Sequence, residues 1–148
     1  MSSTESSSGP SPAQIHGLIT THLRQVWSEP SSAKRRPIFP AVYHPDVIVY
    51  EPDGRVLKGF DQMDETVEAL TGKGGQFEGC QLRARDIKRN GDFVWVSWDL
   101  GPPKEEDGEA IEVKATGADG ILLDVNDKGE AKIRTLWVII DGLSDVRP

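Results

Sequence analysis

The sequence predicts an α+β domain in which about three helices cover the concave face of a strongly curved antiparallel sheet. Three observations lead there. Apolar residues in the first third recur at helical spacing, nearly everything after residue 76 reads as strand, and the strand-like runs are joined by short turns that favour antiparallel neighbours. At 148 residues the chain suits one domain with one substantial core.

Residues 1–11 are mostly Ser with Gly and Pro and hold little to bury, so they are expected to be a disordered tail before a single domain over 12–148. From Pro12 the residues Ile15, Leu18, Ile19, His22, Leu23, Val26 and Trp27 fall on one helical face, with Ser11 and Pro12 as cap and first-turn pair. Pro30 ends that helix. A short second helix is expected over 35–43 despite Pro37 and Pro40, with Lys34-Arg35-Arg36 as a solvated helix start or loop.

Residues 47–50 and 55–57 flank Glu51-Pro52-Asp53-Gly54, the signal of a hairpin. Asp61 opens a third helix with Met63, Val67 and Leu70 on its apolar side, stopped by Thr71-Gly72-Lys73-Gly74-Gly75. Strands are then expected over 77–88, 93–100, 111–125 and 132–141.

Within the run 111–125, alternation puts Asp119 on the same face as Ile111, Val113, Ala115, Ile121 and Leu123. A carboxylate on an apolar face must be paired, wetted or held neutral with a raised pKa. Glycines in strands also mark bulges, and one bulge between Ala115 and Ile121 would turn Asp119 to solvent instead. Both outcomes stand at this point.

His22 is the polar residue in the stripe of the first helix; it is either a proton-exchanging group or a core-edge histidine bonded to a carbonyl. In 93–100, Phe93, Trp95, Ser97 and Asp99 form the mixed face expected to line a cavity, and Val94, Val96, Trp98 and Leu100 the apolar face expected to meet a partner. Asp99 can equally be a solvated strand end. Tyr50, Trp27, Trp95 and Trp137 could line a cavity or simply fill the core. The last strand is apolar at both parities, so a homodimer through the convex face is the simplest cover.

The net charge of -7 argues against nucleic acid or anionic membrane as partners, and no apolar run reaches the roughly 20 residues of a membrane span. One cysteine and no secretory pattern at the N-terminus point to a cytoplasmic location. A single Cys without a close His pair speaks against zinc, and no nucleophile elbow or phosphate loop is present, so no cofactor is expected.

Tyr43-His44-Pro45-Asp46-Val47, Tyr50-Glu51-Pro52-Asp53-Gly54 with Gly59, Trp98-Asp99-Leu100-Gly101, Thr116-Gly117-Ala118-Asp119 and the ending from Lys132-Ile133 through Trp137 to Asp141 together resemble the nuclear-transport-factor-2-like superfamily and its SnoaL-like polyketide cyclase group. The resemblance spans about residues 15–141 and implies a cone with a deep apolar cavity, usually dimeric. It implies a small apolar or polyketide-like ligand, and cyclase, isomerase or dehydratase chemistry or a non-catalytic binding module. Asp119 matches the acid/base Asp of SnoaL-like cyclases, whereas the sheet His of those cyclases has no counterpart after His44. The implied mechanism has Asp119 take a proton next to a carbonyl, with His22 or Tyr50 donating to the enolate oxygen. An epoxide hydrolase would be expected to carry an Asp-Arg-Asp set; Arg83 and Arg85 lack an Asp at that spacing.

Overall fold

A computed structural model describes residues 9–106 and 108–148. Most of the expected tail lies outside the described residues. Its last part is in place, with the Pro10 carbonyl accepting from Arg89 Nη1 at 2.8 Å and Ser11 closing a capping box with Gln14.

Helix α1 (Pro12–Thr21) runs directly into a π-helical turn (His22–Val26) closed by the Trp27 N–H on the His22 carbonyl. His22, Leu23, Val26 and Trp27 are all buried across this wider turn. The second helical stretch is broken by its prolines into α2 (Ser32–Arg35), a 3-10 turn (Arg36–Ile38) and α3 (Phe39–Val42). Helix α4 is Gly59–Thr71.

The expected solvated basic cluster is corrected at Arg35. That side chain is fully buried, bonded to Asp64 Oδ1 at 2.7 Å, to Glu68 Oε1 at 2.8 Å and to the Glu29 carbonyl at 2.9 Å, and it ties α2 to α4. A guanidinium can be buried here because its donors find fixed acceptors.

Six strands form one sheet in the order β2-β1-β6-β5-β4-β3, with β1 Tyr43–Tyr50, β2 Val56–Lys58, β3 Gln81–Asn90, β4 Phe93–Gly101, β5 Ala115–Val125 and β6 Ala131–Ile140. The expectation of a purely antiparallel sheet is corrected at one seam, where β1 pairs β6 in parallel. Register shifts lie between Ala84 and Asp86 on β3, beside Arg134 on β6, and between Tyr43 and Ile48 on β1. Such shifts bend the strands and curl the open sheet around the helices. The core fills the concave side, with Ile15, Ile19 and Leu23 from the first helix, Met63 and Val67 from α4, and Val94, Val96, Ile121 and Leu136 from the sheet. Among the described residues no helix is long and apolar enough to cross a membrane.

Candidate functional site

Strand β5 stays in unbroken register with β4 from Ala115 to Leu122, so no bulge intervenes and Asp119 points inward with Gly117 and Ile121. The shared face begins only where the strand does. Val113 precedes it and is exposed, contrary to the parity expected from a longer strand.

Asp119 is 4% exposed, and pairing is what makes its burial tolerable. Its Oδ2 lies 2.8 Å from His22 Nε2, and its Oδ1 accepts from Trp98 Nε1 at 3.1 Å. His22 Nδ1 in turn lies 2.5 Å from the Tyr43 hydroxyl. One proton arrangement satisfies all three groups. The Tyr43 O–H donates to Nδ1, and the Nε2–H donates to Asp119 Oδ2. Burial pushes the Tyr43 phenol well above its ordinary value; the Trp27 indole opposes this and the charge of Asp119 adds to it. Tyr43 therefore remains a neutral donor.

Trp98 reaches Asp119 because of Gly117, its partner across the β4–β5 ladder. A Cβ at Gly117 would lie 2.5 Å from the Trp98 ring and 2.2 Å from the Ile139 carbonyl oxygen, so only glycine leaves room for the indole.

Asp119 fronts a cavity of about 530 Å³ whose apolar wall includes Leu70, Phe77, Leu82, Leu100, Leu136 and Val138. This is within the usual range of small-molecule sites. Trp27 and Trp98 also line it, whereas His22 and Tyr43 lie behind Asp119 and do not.

The structure separates the other sequence candidates from this cavity. Tyr50, Trp95 and Trp137 are 38%, 36% and 39% exposed on the outer face, with Tyr50 stacked on Trp137 at a centroid distance of 5.6 Å. Asp99 shares that outer face and bonds Arg85 at 2.9 Å. The two faces of β4 are thus exchanged relative to expectation. Val94, Val96, Trp98 and Leu100 turn inward because the concave side carries the core, and the mixed face of Phe93, Trp95, Ser97 and Asp99 turns out. Neither Tyr50 nor His22 is placed to donate to an enolate oxygen in the cavity, the first being outside and the second screened by Asp119.

Sequence reasoning missed Glu51. It follows Val47 and Val49 at strand parity, which turns it into the cavity, and the hairpin turn holds it through Glu51 N–H on the Arg55 carbonyl at 2.9 Å. Among the described residues its buried Oε1 has no hydrogen-bond partner, and neither does the buried Trp27 Nε1. Burial pushes the Glu51 carboxyl up to about 7; Arg55 opposes the rise, and Asp53 and Asp119 add to it. The alternation of Val47, Val49 and Glu51 was the available signal.

No protein-family model and no curated protein matches the chain. Solved structures do. A candidate isomerase of the SnoaL-like family from Agrobacterium tumefaciens is 22% identical, with 88% of this chain and 99% of that chain covered at a TM-score of 0.67. A candidate polyketide cyclase from Acidithiobacillus ferrooxidans is 20% identical over 91% of this chain and 93% of its own, with a TM-score of 0.62. An NTF2-like protein of unknown function from Pseudomonas aeruginosa is 17% identical over 88% and 97%, with a TM-score of 0.60. The chain has the fold these proteins share, the α+β cone of the NTF2-like and SnoaL-like structures.

Proposed function

We propose that this NTF2-like fold is a binding protein for an apolar or polyketide-like carbonyl compound, on which Asp119 carries out proton transfer as a cyclase, isomerase or dehydratase. The observation that carries the reading is the position of Asp119, at the cavity end of a buried Tyr43–His22–Asp119 chain. His22 and Trp98 use one acceptor direction on each carboxylate oxygen, which leaves lone pairs for a substrate hydrogen. The carboxylate removes a proton from the carbon beside the carbonyl, and the C–H electron pair becomes the C=C of an enolate. Returning that proton to another carbon completes an isomerisation; passing it from Asp119 to a β-hydroxyl, which leaves as water as the enolate electrons form the new C=C and expel it, completes a dehydration. His22 and Tyr43 act as positioning residues. They orient the base without touching the substrate.

The test is deuterium exchange of the acetyl protons of acetylnaphthalene in D₂O, followed by NMR. Wild type is expected to accelerate exchange, and Asp119→Asn to lose roughly a hundredfold of that acceleration. Equal rates for the two proteins would remove the base from the reading.

A second reading, a non-catalytic ligand-binding module, is favoured by the pairing of both Asp119 oxygens with protein donors. Under either reading the protein acts as a homodimer in the cytoplasm. The outer face supports the dimer through exposed Tyr50, Phe93, Trp95, Leu122 and Trp137 on four adjacent strands. The free Cys80 fits a reducing compartment.

A further inference from the structure

We propose that Leu143 sets ligand selectivity at the cavity mouth, so that the preferred compound carries an apolar extension reaching from Asp119 past the end of β6. The proposal rests on the reading of this cavity as a ligand site, and adds how far the ligand extends and what its outer end is made of.

One wall of the cavity is built from Leu136, Val138, Ile140 and Leu143, and these side chains emerge from the core in that order. Leu136 is fully buried, and Val138 and Ile140 are partly buried against the core. Leu143, beyond the end of the strand, is 64% exposed and still lines the same cavity. The register puts Val138 opposite Asp119 and Ile140 opposite Gly117. Asp119 thus lies level with the middle of this wall, and the step from Val138 to Ile140 alone adds about 7 Å toward the mouth. A compound whose reacting carbon meets Asp119 must extend beyond that step to touch Leu143.

Leu143 is held in a built turn. The Asp141 N–H donates to the Thr116 carbonyl at 3.0 Å, and the Thr116 hydroxyl donates to Asp141 Oδ2 at 2.6 Å. Gly142 has φ 89°, a conformation that favours glycine, and its N–H donates to Asp145 Oδ1 at 3.0 Å. Ser144 closes the turn, its N–H donating to the Ile140 carbonyl at 2.8 Å and its Oγ accepting from the Ile140 N–H at 3.0 Å. Asp141, Ser144 and Asp145 are all engaged in this network, and Leu143 is the apolar residue it presents. A leucine fixed in the open at the edge of an apolar cavity is surface that a ligand covers favourably.

The outer end of that ligand is hydrocarbon. The two cations of the cavity wall already have acidic neighbours, Arg55 bonding Asp53 at 2.9 Å and Lys114 lying 3.4 Å from Glu112. An anionic end would compete for those pairs, whereas a hydrocarbon end meets Ile140 and Leu143 and disturbs neither.

The experiment is equilibrium dialysis of the full chain with two rigid methyl ketones, acetophenone and para-acetylbiphenyl, which share the reacting end and differ in length by one ring. Wild type is expected to bind acetylbiphenyl more tightly. Leu143→Ser is expected to weaken acetylbiphenyl roughly fivefold and acetophenone less than about twofold, while Leu143→Met stays within about twofold of wild type for both. Because Leu143 is exposed, thermal melts of both variants should match wild type. In methyl NMR, the Leu143 signals should move on adding acetylbiphenyl, through the field of its outer ring, and stay in place with acetophenone. An equal loss for the two ketones in Leu143→Ser, or no loss for either, overturns the proposal while leaving the cavity reading intact. So does an unmoved Leu143 signal with acetylbiphenyl bound, or tighter binding of acetophenone by wild type. If neither ketone binds wild type, the cavity reading falls and the proposal with it.

Discussion

The Trp98 indole occupies the space that a side chain at Gly117 would take, one rung away from the carboxylate it bonds. Geometry at Asp119 therefore depends on a residue with no side chain. Gly117→Ala is expected to destabilise the fold by about 1–3 kcal/mol, because either the indole or the Ile139 carbonyl must shift. Urea unfolding measures the loss. An unchanged midpoint would show that the ladder absorbs a Cβ without strain.

His22 joins two buried groups, the Tyr43 hydroxyl and Asp119 Oδ2. His22→Leu leaves both unsatisfied and is expected to cost about 3–5 kcal/mol. In a double-mutant cycle with Asp119→Leu, the second substitution should cost much less in the His22→Leu background. Strict additivity of the two losses would contradict a coupled pair.

Glu51 gives stability an unusual pH slope. Its folded pKa lies above its unfolded one, so the folded state binds more protons between about 4.5 and 7, and stability falls as pH rises through that window. Glu51→Gln should match wild type below about pH 4.5 and exceed it above pH 7 by about 1–2 kcal/mol, after allowance for solvent screening. Thermal melts across pH measure this difference, and the same gap at both ends would contradict it.

Asp64 works in the opposite sense. Burial raises its carboxyl, but the hydrogen bonds from Ser32 and Arg35 prevail and hold it below its ordinary value. Its contribution is present above the unfolded pKa near 3.8 and is lost as pH falls through the lower folded value. Arg35→Met strands that carboxylate and is expected to cost about 3–5 kcal/mol at neutral pH. A loss under 1 kcal/mol by urea unfolding would mean that Arg36 and Ser32 suffice to hold it.

The outer aromatic row supplies the last expectation. Trp137→Lys places a charge beside Tyr50 at the centre of the patch and should convert a dimer to a monomer in analytical ultracentrifugation, with the fold retained by circular dichroism. A wild-type monomer at high concentration would remove the dimer.

Periodicity carried the architecture, because strand alternation needs only local residues, but it left Asp119 both an inward and an outward course, and the unbroken β4–β5 register decided between them. Periodicity also could not orient β4. Both of its faces are rich in large apolar side chains, and which one meets the core depends on where the helices lie, a long-range fact. Tyr50, Trp95 and Trp137 were misplaced for the same reason, aromatic character being equally compatible with core, cavity and exposed face. The His22–Asp119 contact joins residues 97 positions apart, so the sequence offered each residue as a candidate but not the bond between them. Arg35 was missed because a basic triplet looks solvated until Asp64 and Glu68, 29 and 33 positions away, supply its acceptors.

The π-helical turn at His22–Val26 amounts to one residue more than an α-helix needs over the same distance. A turn widened by one residue absorbs that residue, so the helix before it and Trp27 after it both keep their inward positions. Removing one residue would leave regular helix with the flanking positions little turned. The change would fall on the turn itself, whose first residue, His22, meets Tyr43 and Asp119.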